Sequence, residues 1–331
     1  MQTANLIIGY CENNKVTTFN QNVTNLQTAT RNPLPDTCHL PPVPCRPMQP
    51  IQPCQKPYGD LHIYYLEGQV QAQDDYFGEH FIGNWEEGGH AFLFFSRSQD
   101  SIVENLVADE RHLTILDQYQ MTYDDWHGGP IAPFSVGRIQ VMPPWLKGAA
   151  NSKGSGRSAE DCRILLDPGV VFGTGAHPTT HACLEALDLV SRMDVPEVVL
   201  DIGTGTGLLA IAAAKLGSRK VLALDLNRLA ARTARHNVLL NHMDEQVLAV
   251  QGAAENFIDF PSDLVISNIH YDVMNRLIQN RGFLKGRFFI LSGLLRSQAL
   301  EIERMLGSYP VEIIKKWEAD GVWQTYLGYA A

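Results

Sequence analysis

Three features of this sequence could act together on a ligand: a glycine-rich turn, an acid one strand later, and an asparagine closing a third apolar run. In VVLDIGTGTGLLAIAAAKLG an apolar strand runs into Asp201, then Gly203-Thr204-Gly205-Thr206-Gly207, then a helix closed by Gly217. Glycines at the carboxyl end of a first strand let the backbone approach a ligand, so Gly203 and Gly205 are candidate binding positions. The spacing is G-x-G-x-G, whereas the dinucleotide fingerprint requires a glycine where Leu208 stands. Asp225 ends the next run, VLALD, where a carboxylate can accept both hydroxyls of a ribose. The pair points to an adenosine-containing ligand. Asn268 ends DLVISN on the same edge, and its amide offers an acceptor and a donor to an amino group or a cofactor. Each feature also has a plainer reading. Glycine turns are common between strand and helix, Asp225 could cap a helix over residues 227–243, and Asn268 could cap the helix that follows it.

A second block lies upstream, DPGVVFGTGAHPTTHACLEAL over residues 167–187. Gly173 and Gly175 bracket Thr174, and Pro178 then opens a helical stretch with Thr179 and Thr180 in its first turn. Cys183, Leu187 and Val190 give that helix an apolar stripe, so both threonines sit near its positive end, where free N–H groups suit a carboxylate. His177 and His181 read as structural residues, and Phe172 is either a ligand contact or a core plug.

The elements that must position these residues follow from periodicity. EVVLDIG, KVLALDL, QVLAV, DLVISNI and RFFILSG are short apolar strands separated by helical stretches, which predicts a doubly wound parallel sheet over residues 162–331. VEIIKKWEADG and VWQTYLGYA close it as an antiparallel hairpin at one edge. Before it, residues 58–146 read as a small α+β domain. LHIYYLEGQV is a strand, NWEEGGHAFLFFS a hairpin turning at residues 86–89, SIVENLVADE a helix capped by Asp100 or Ser101, HLTILDQYQMTY a strand, and GRIQVMPPW a short further strand. Residues 147–161 have the Gly and Ser content of a linker that would let the domain swing. Residues 1–57 carry nine of the eighteen prolines between Pro33 and Pro57, which predicts a poorly ordered lead-in.

Composition narrows the classes further. The chain has 331 residues, 45% of them hydrophobic, and a net charge of -10 that disfavours wrapping nucleic acid phosphates while suiting a basic protein partner. No apolar run is long enough to span a membrane, and the N-terminus lacks a basic region followed by an apolar one, so a cytoplasmic protein is expected. The six cysteines form no C-x-x-C pair; Cys38, His39, Cys45 and Cys54 lie in proline-rich sequence, and no metal is expected. Oligomeric state is not encoded in any of these patterns.

LLDPGVVFGTGAHPTTHACL, VLDIGTGTGLLAIAAAKLG, LALDLN, SNI and LSGLLRSQA together resemble the ribosomal protein L11 methyltransferases, class I enzymes that use S-adenosylmethionine. The likeness runs from Arg163 to the C-terminus, and DDWHGGPIAPFSVGRIQVMPPW resembles the tryptophan-containing segment before the catalytic domain there. It implies that Thr180, Gly203, Asp225 and Asn268 contact the cofactor. It implies as well that a small N-terminal domain presents the substrate, with residues 58–128 as its counterpart. The expected activity is methylation of amino groups on ribosomal protein L11, with Asn268 serving turnover. Asn268-Ile269-His270-Tyr271 departs from the family's N-I-L pattern and resembles the Asn-Pro-Pro-Tyr motif of other amino-group methyltransferases, in which an aromatic ring packs against the target nitrogen. Another protein lysine or a small amine is therefore an alternative acceptor. An NAD-dependent dehydrogenase or a non-catalytic cofactor binder would explain less of the pattern.

Overall fold

Strands that carry apolar residues at every position must be covered on both faces, and the five short runs after residue 197 are of that kind. The computed structural model describes residues 56–146, 162–171, 173–280 and 282–330. In it β8 (Val198–Ile202), β9 (Lys220–Asp225), β10 (Val247–Gln251), β11 (Leu264–Asn268) and β12 (Phe288–Leu295) are joined by β13 (Val311–Ala319) and β14 (Trp323–Ala330) in one seven-stranded sheet. Its order is β10-β9-β8-β11-β12-β14-β13. The first five pair in parallel, and β14 runs antiparallel to both β12 and β13. The chain reverses direction across the sheet between β8 and β11, which opens a crevice at their carboxyl ends.

Alternation along these strands builds two cores. Val199, Val221, Ala223, Ile266 and Ile290 face one side, where they meet the helices Pro178–Met193 and Leu208–Lys215. Leu200, Leu222, Leu224, Val265 and Leu291 face the other, against the helices Tyr271–Gln279 and Arg296–Leu306. Each such side chain removed from water contributes roughly 1.5–3 kcal/mol.

The N-terminal part forms a four-stranded antiparallel sheet, order β2-β3-β1-β4, from β1 (Asp60–Glu67), β2 (Phe81–Glu87), β3 (His90–Phe95) and β4 (Thr114–Thr122). One face packs Tyr64, Leu66, Leu93 and Phe95 on Val103 and Leu106 of the helix Asp100–Asp109. The other packs Leu61, Ile63, Ile82 and Phe94 on Val170, Val171, Leu229 and Ala230 of the larger half. Gly83 permits this approach, since a Cβ there would lie 2.5 Å from Leu229 Cδ1. Asp74 adds ion pairs to Arg228 (3.2 Å) and Arg232 (3.0 Å).

Two details differ from expectation. The helix Asp100–Asp109 is capped by neither Asp100 nor Ser101: Gln99 holds the cap position, and Asp100 accepts from the Tyr64 hydroxyl (2.6 Å) and Ser98 Oγ (2.8 Å) instead. The GRIQVMPPW strand does not extend the N-terminal sheet. As β6 (Ile139–Met142) it pairs antiparallel with β5 (Phe134–Val136) and parallel with β7 (Arg163–Leu165), and all three pack into the core of the large sheet. Residues 147–161, residues 1–55 and Phe172 lie outside the described residues.

Candidate functional site

Strand register assembles the crevice. Ile202 is the last residue of β8, paired with Leu224 of β9 on one side and Ser267 of β11 on the other. One residue further on, Gly203, Asp225 and Asn268 therefore emerge side by side. Gly203 has φ +70°, and a Cβ on it would lie 2.3 Å from Ile269 Cγ2, so both the backbone and the space require glycine. Its neighbour Asp201 is 1% exposed and takes a 2.6 Å hydrogen bond from the Thr204 hydroxyl. Burial pushes the Asp201 carboxyl up to about 7 against the pull of that bond.

Asp225 is not a helix cap. Asn227 is, accepting from the N–H groups of Leu229 and Ala230, while Asp225 Oδ2 accepts from Gly205 N (2.9 Å) and Oδ1 from Asn227 N (2.9 Å). The carboxylate thus holds the glycine turn beside β9 and keeps further lone pairs directed at the crevice. Burial raises its pKa, and the two N–H donors oppose that rise. Asn268 is not a cap either, because His270 occupies that position before the helix Tyr271–Gln279. The Asn268 amide makes no side-chain hydrogen bond among the described residues.

The threonine block stands against the same turn. Thr206 Oγ1 donates to Gly173 O (2.9 Å), which ties the 173–177 loop to the glycines. Pro178 opens the helix and His177 caps it, its Nδ1 accepting from Thr179 N (3.3 Å) and lying 2.7 Å from Thr179 Oγ1. Thr180, in that first turn, is 7% exposed and makes no side-chain hydrogen bond among the described residues. His181 stacks on Phe134 at 4.7 Å. Both histidines are thus engaged as structural residues. The Tyr271 hydroxyl accepts from Asn275 Nδ2 (3.3 Å) and bonds Glu301; burial, then the Glu301 bond, pushes the phenol up to about 12. His270 is the exposed side chain of that departure.

Sequence reasoning missed Asn237. It is 0% exposed and completes the site from behind, with Oδ1 accepting from Asp167 N (2.9 Å) and Nδ2 donating to Asp167 O (2.8 Å) and Thr206 O (2.9 Å). Asn241, one turn on, does the same for Leu165 (2.9 and 2.7 Å). Two asparagines at i and i+4 on the buried face of a helix were the available signal. Among the described residues, no three His, Cys, Asp or Glu side chains gather as metal ligands, and no helix is long and apolar enough to cross a membrane.

The family model for ribosomal protein L11 methyltransferase matches residues 100–328. The chain belongs to the ribosomal protein L11 methyltransferase family. Relatives bearing that name include one from Desulfitobacterium hafniense, 39% identical over 164 residues (49% of this chain, 52% of the relative). Another from Desulforamulus reducens is 34% identical over 219 residues (64% and 67%). A solved ribosomal protein L11 methylase from Lactobacillus delbrueckii subsp. bulgaricus is 29% identical with TM-score 0.50, covering 60% of this chain and 99% of that one. The fold is that of the class I methyltransferases. The chain spans about half the length of the first relatives it matches (52% and 51%).

Proposed function

We propose that this chain is an S-adenosylmethionine-dependent protein methyltransferase acting on amino groups, with ribosomal protein L11 as its acceptor. The observation that carries the reading is the convergence of Gly203, Asp225 and Asn268 on one strand edge, with the Thr180 helix start tied against it through Thr206 and Gly173. These residues fit the cofactor: Asp225 has lone pairs left over for a ribose diol, Gly203 presents bare backbone at the strand edge, and Thr180 and Asn268 have side chains that make no hydrogen bond among the described residues. S-adenosylmethionine supplies a methyl group already activated on a sulfonium. The chain's own task is then alignment and exclusion of water.

Asp225 would hold the ribose, the backbone of Gly203 and Gly205 would contact the nucleoside, and the N–H groups at the start of the helix Pro178–Met193, with the Thr180 hydroxyl, would receive the carboxylate. Asn268 would orient the acceptor nitrogen, which must arrive deprotonated. No catalytic role is assigned to His177, which caps a helix, or to His181, which stacks on a phenyl ring, because a sulfonium methyl donor mainly requires alignment of a deprotonated nitrogen. The N-terminal sheet, within residues 58–128, presents the protein substrate.

The test combines the purified protein, S-adenosylmethionine carrying a labelled methyl group, and unmethylated L11, with label and intact mass followed on L11. Transfer is expected. Cofactor binding without transfer to L11 moves the acceptor to another amine, the outcome to which the exposed His270 would belong.

A further inference from the structure

The DPG segment, with the short helix Tyr123–Trp126 and the residue after it, takes no part in the chemistry above, yet it is contacted from two sides, and of its side-chain atoms only Asp167 Oδ2 is left without a hydrogen bond among the described residues, with His236 Nε2 at 3.7 Å. Leu166 N still donates to Met142 O of β6 (2.9 Å), but residues 167–171 belong to no helix or strand, so their buried polar groups must be satisfied by other means. From the N-terminal side, three polar tips within five residues reach them. The Tyr123 hydroxyl donates to Asp167 Oδ1 (3.3 Å), Trp126 Nε1 donates to Val170 O (3.2 Å), and His127 Nε2 lies 2.9 Å from Gly169 O. Trp126 is itself wedged edge-on against Phe94 of the four-stranded sheet at 5.2 Å, so the tips move with that sheet. From the opposite side Asn237 grips both main-chain groups of Asp167, and its second amide hydrogen goes to Thr206 O of the glycine turn.

One carboxamide therefore serves the DPG segment and the glycine turn at once. Because Thr206 Oγ1 also donates to Gly173 O, the path runs from the N-terminal sheet through the DPG segment, Asn237 and the glycine turn to the threonine loop. A shift of Asp167 cannot occur without straining bonds at Thr206.

We infer that Tyr123, Trp126 and His127 are positioning residues for the cofactor site, which they hold through Asp167 and Asn237, so that docking of the N-terminal sheet and binding of the cofactor are energetically coupled. The inference rests on the cofactor reading given above. Coupling of this kind is reciprocal: whatever the docked sheet contributes to cofactor affinity, the bound cofactor returns to docking.

The experiment uses the full chain and S-adenosylhomocysteine as the probe. The double substitution Tyr123→Phe and Trp126→Phe keeps an aromatic ring at each position and removes the two donors, with some loss of ring volume at position 126; Tyr123→Phe alone removes a donor without that loss. Titration calorimetry well below the melting temperature is expected to show affinity weakened about five- to tenfold, the lower end of what coupled sites display. A merely structural role would lower the melting temperature and leave that affinity unchanged. In the unsubstituted chain, hydrogen exchange is expected to slow on binding at residues 123–129 as well as 203–207, a readout that stands even if the variant fails to fold. An affinity within twofold of the original, or protection confined to residues 203–207, overturns the coupling while leaving the cofactor reading intact. Failure of the unsubstituted chain to bind S-adenosylhomocysteine overturns both.

Discussion

Replacing Asp225 by alanine removes two kinds of interaction, and the structure separates their sizes. The carboxylate accepts from Gly205 N and Asn227 N, both at 2.9 Å, and has lone pairs left over for a ligand. A hydrogen bond to an ionised acceptor contributes roughly 1.5–3 kcal/mol. The two main-chain donors lie at an open edge where water can replace the lost partner, so the free protein should lose about 1–2 kcal/mol, at the low end of that scale. A ribose diol has no such substitute once water is displaced. Its loss should therefore appear at full value, roughly 10- to 150-fold in the dissociation constant of S-adenosylhomocysteine. Titration calorimetry reads the second effect and thermal denaturation the first. Affinity unchanged within twofold in a variant whose melting temperature has fallen would refute the argument and leave Asp225 as a brace for the turn.

Gly203→Ala combines an unfavourable φ with a Cβ driven into Ile269, and should cost roughly 2–5 kcal/mol of stability; adding Ile269→Ala should restore only the steric part of the melting temperature, and full restoration would mean that the backbone is unstrained. Asp201 is held near 7 in the folded chain against an ordinary value of 3.8, so the stability it contributes is fully present below about 4 and lost as pH rises through 7. Spread over about three pH units this amounts to about 4 kcal/mol. Asp201→Asn should flatten the fall of melting temperature between pH 4 and 8 and raise it at pH 8, and an unaltered slope would show that the carboxylate is not protonated on folding. Asn268→Ala should leave the melting temperature nearly unchanged, since His270 holds the cap position, while turnover drops on the order of 100-fold through misalignment; intact turnover in a methyl-transfer assay would remove Asn268 from the site.

What could be read from sequence was whatever lies close together along the chain. The strands around Asp201, Asp225 and Asn268 declare themselves by apolar runs that stop at polar residues, and Pro178 with the stripe Cys183, Leu187 and Val190 marks a helix and its buried face. The cap at Asp100 was misread because Tyr64, 36 residues away, takes that carboxylate for itself. The choice between capping and binding at Asp225 depended on whether Asn227 would do the capping, which only the fold decides. Asn237 stayed hidden for the same reason: its partners Asp167 and Thr206 lie 70 and 31 residues away. β6 looked like one more strand of the N-terminal sheet because a strand's local pattern does not name its neighbour, and its partner β7 lies beyond the linker-like segment.

The four-stranded sheet is clothed on both sides, and its two coverings become available at different times. The helix Asp100–Asp109 follows its strands within a few dozen residues, whereas Leu229 and Ala230 on the second face, and Arg232 that pairs with Asp74 across 158 residues, come much later. At a synthesis rate of roughly 5–20 residues per second, the interval is on the order of ten seconds or more. During it a nascent chain carries Leu61, Ile63, Ile82 and Phe94 as a bare apolar surface. Translation speed through the second half, and whatever chaperone shields that surface meanwhile, therefore bear on yield as much as the stability of the finished protein does. Pulse-labelled chains halted before residue 228 should be captured by hydrophobic-surface probes, and those released at full length should not.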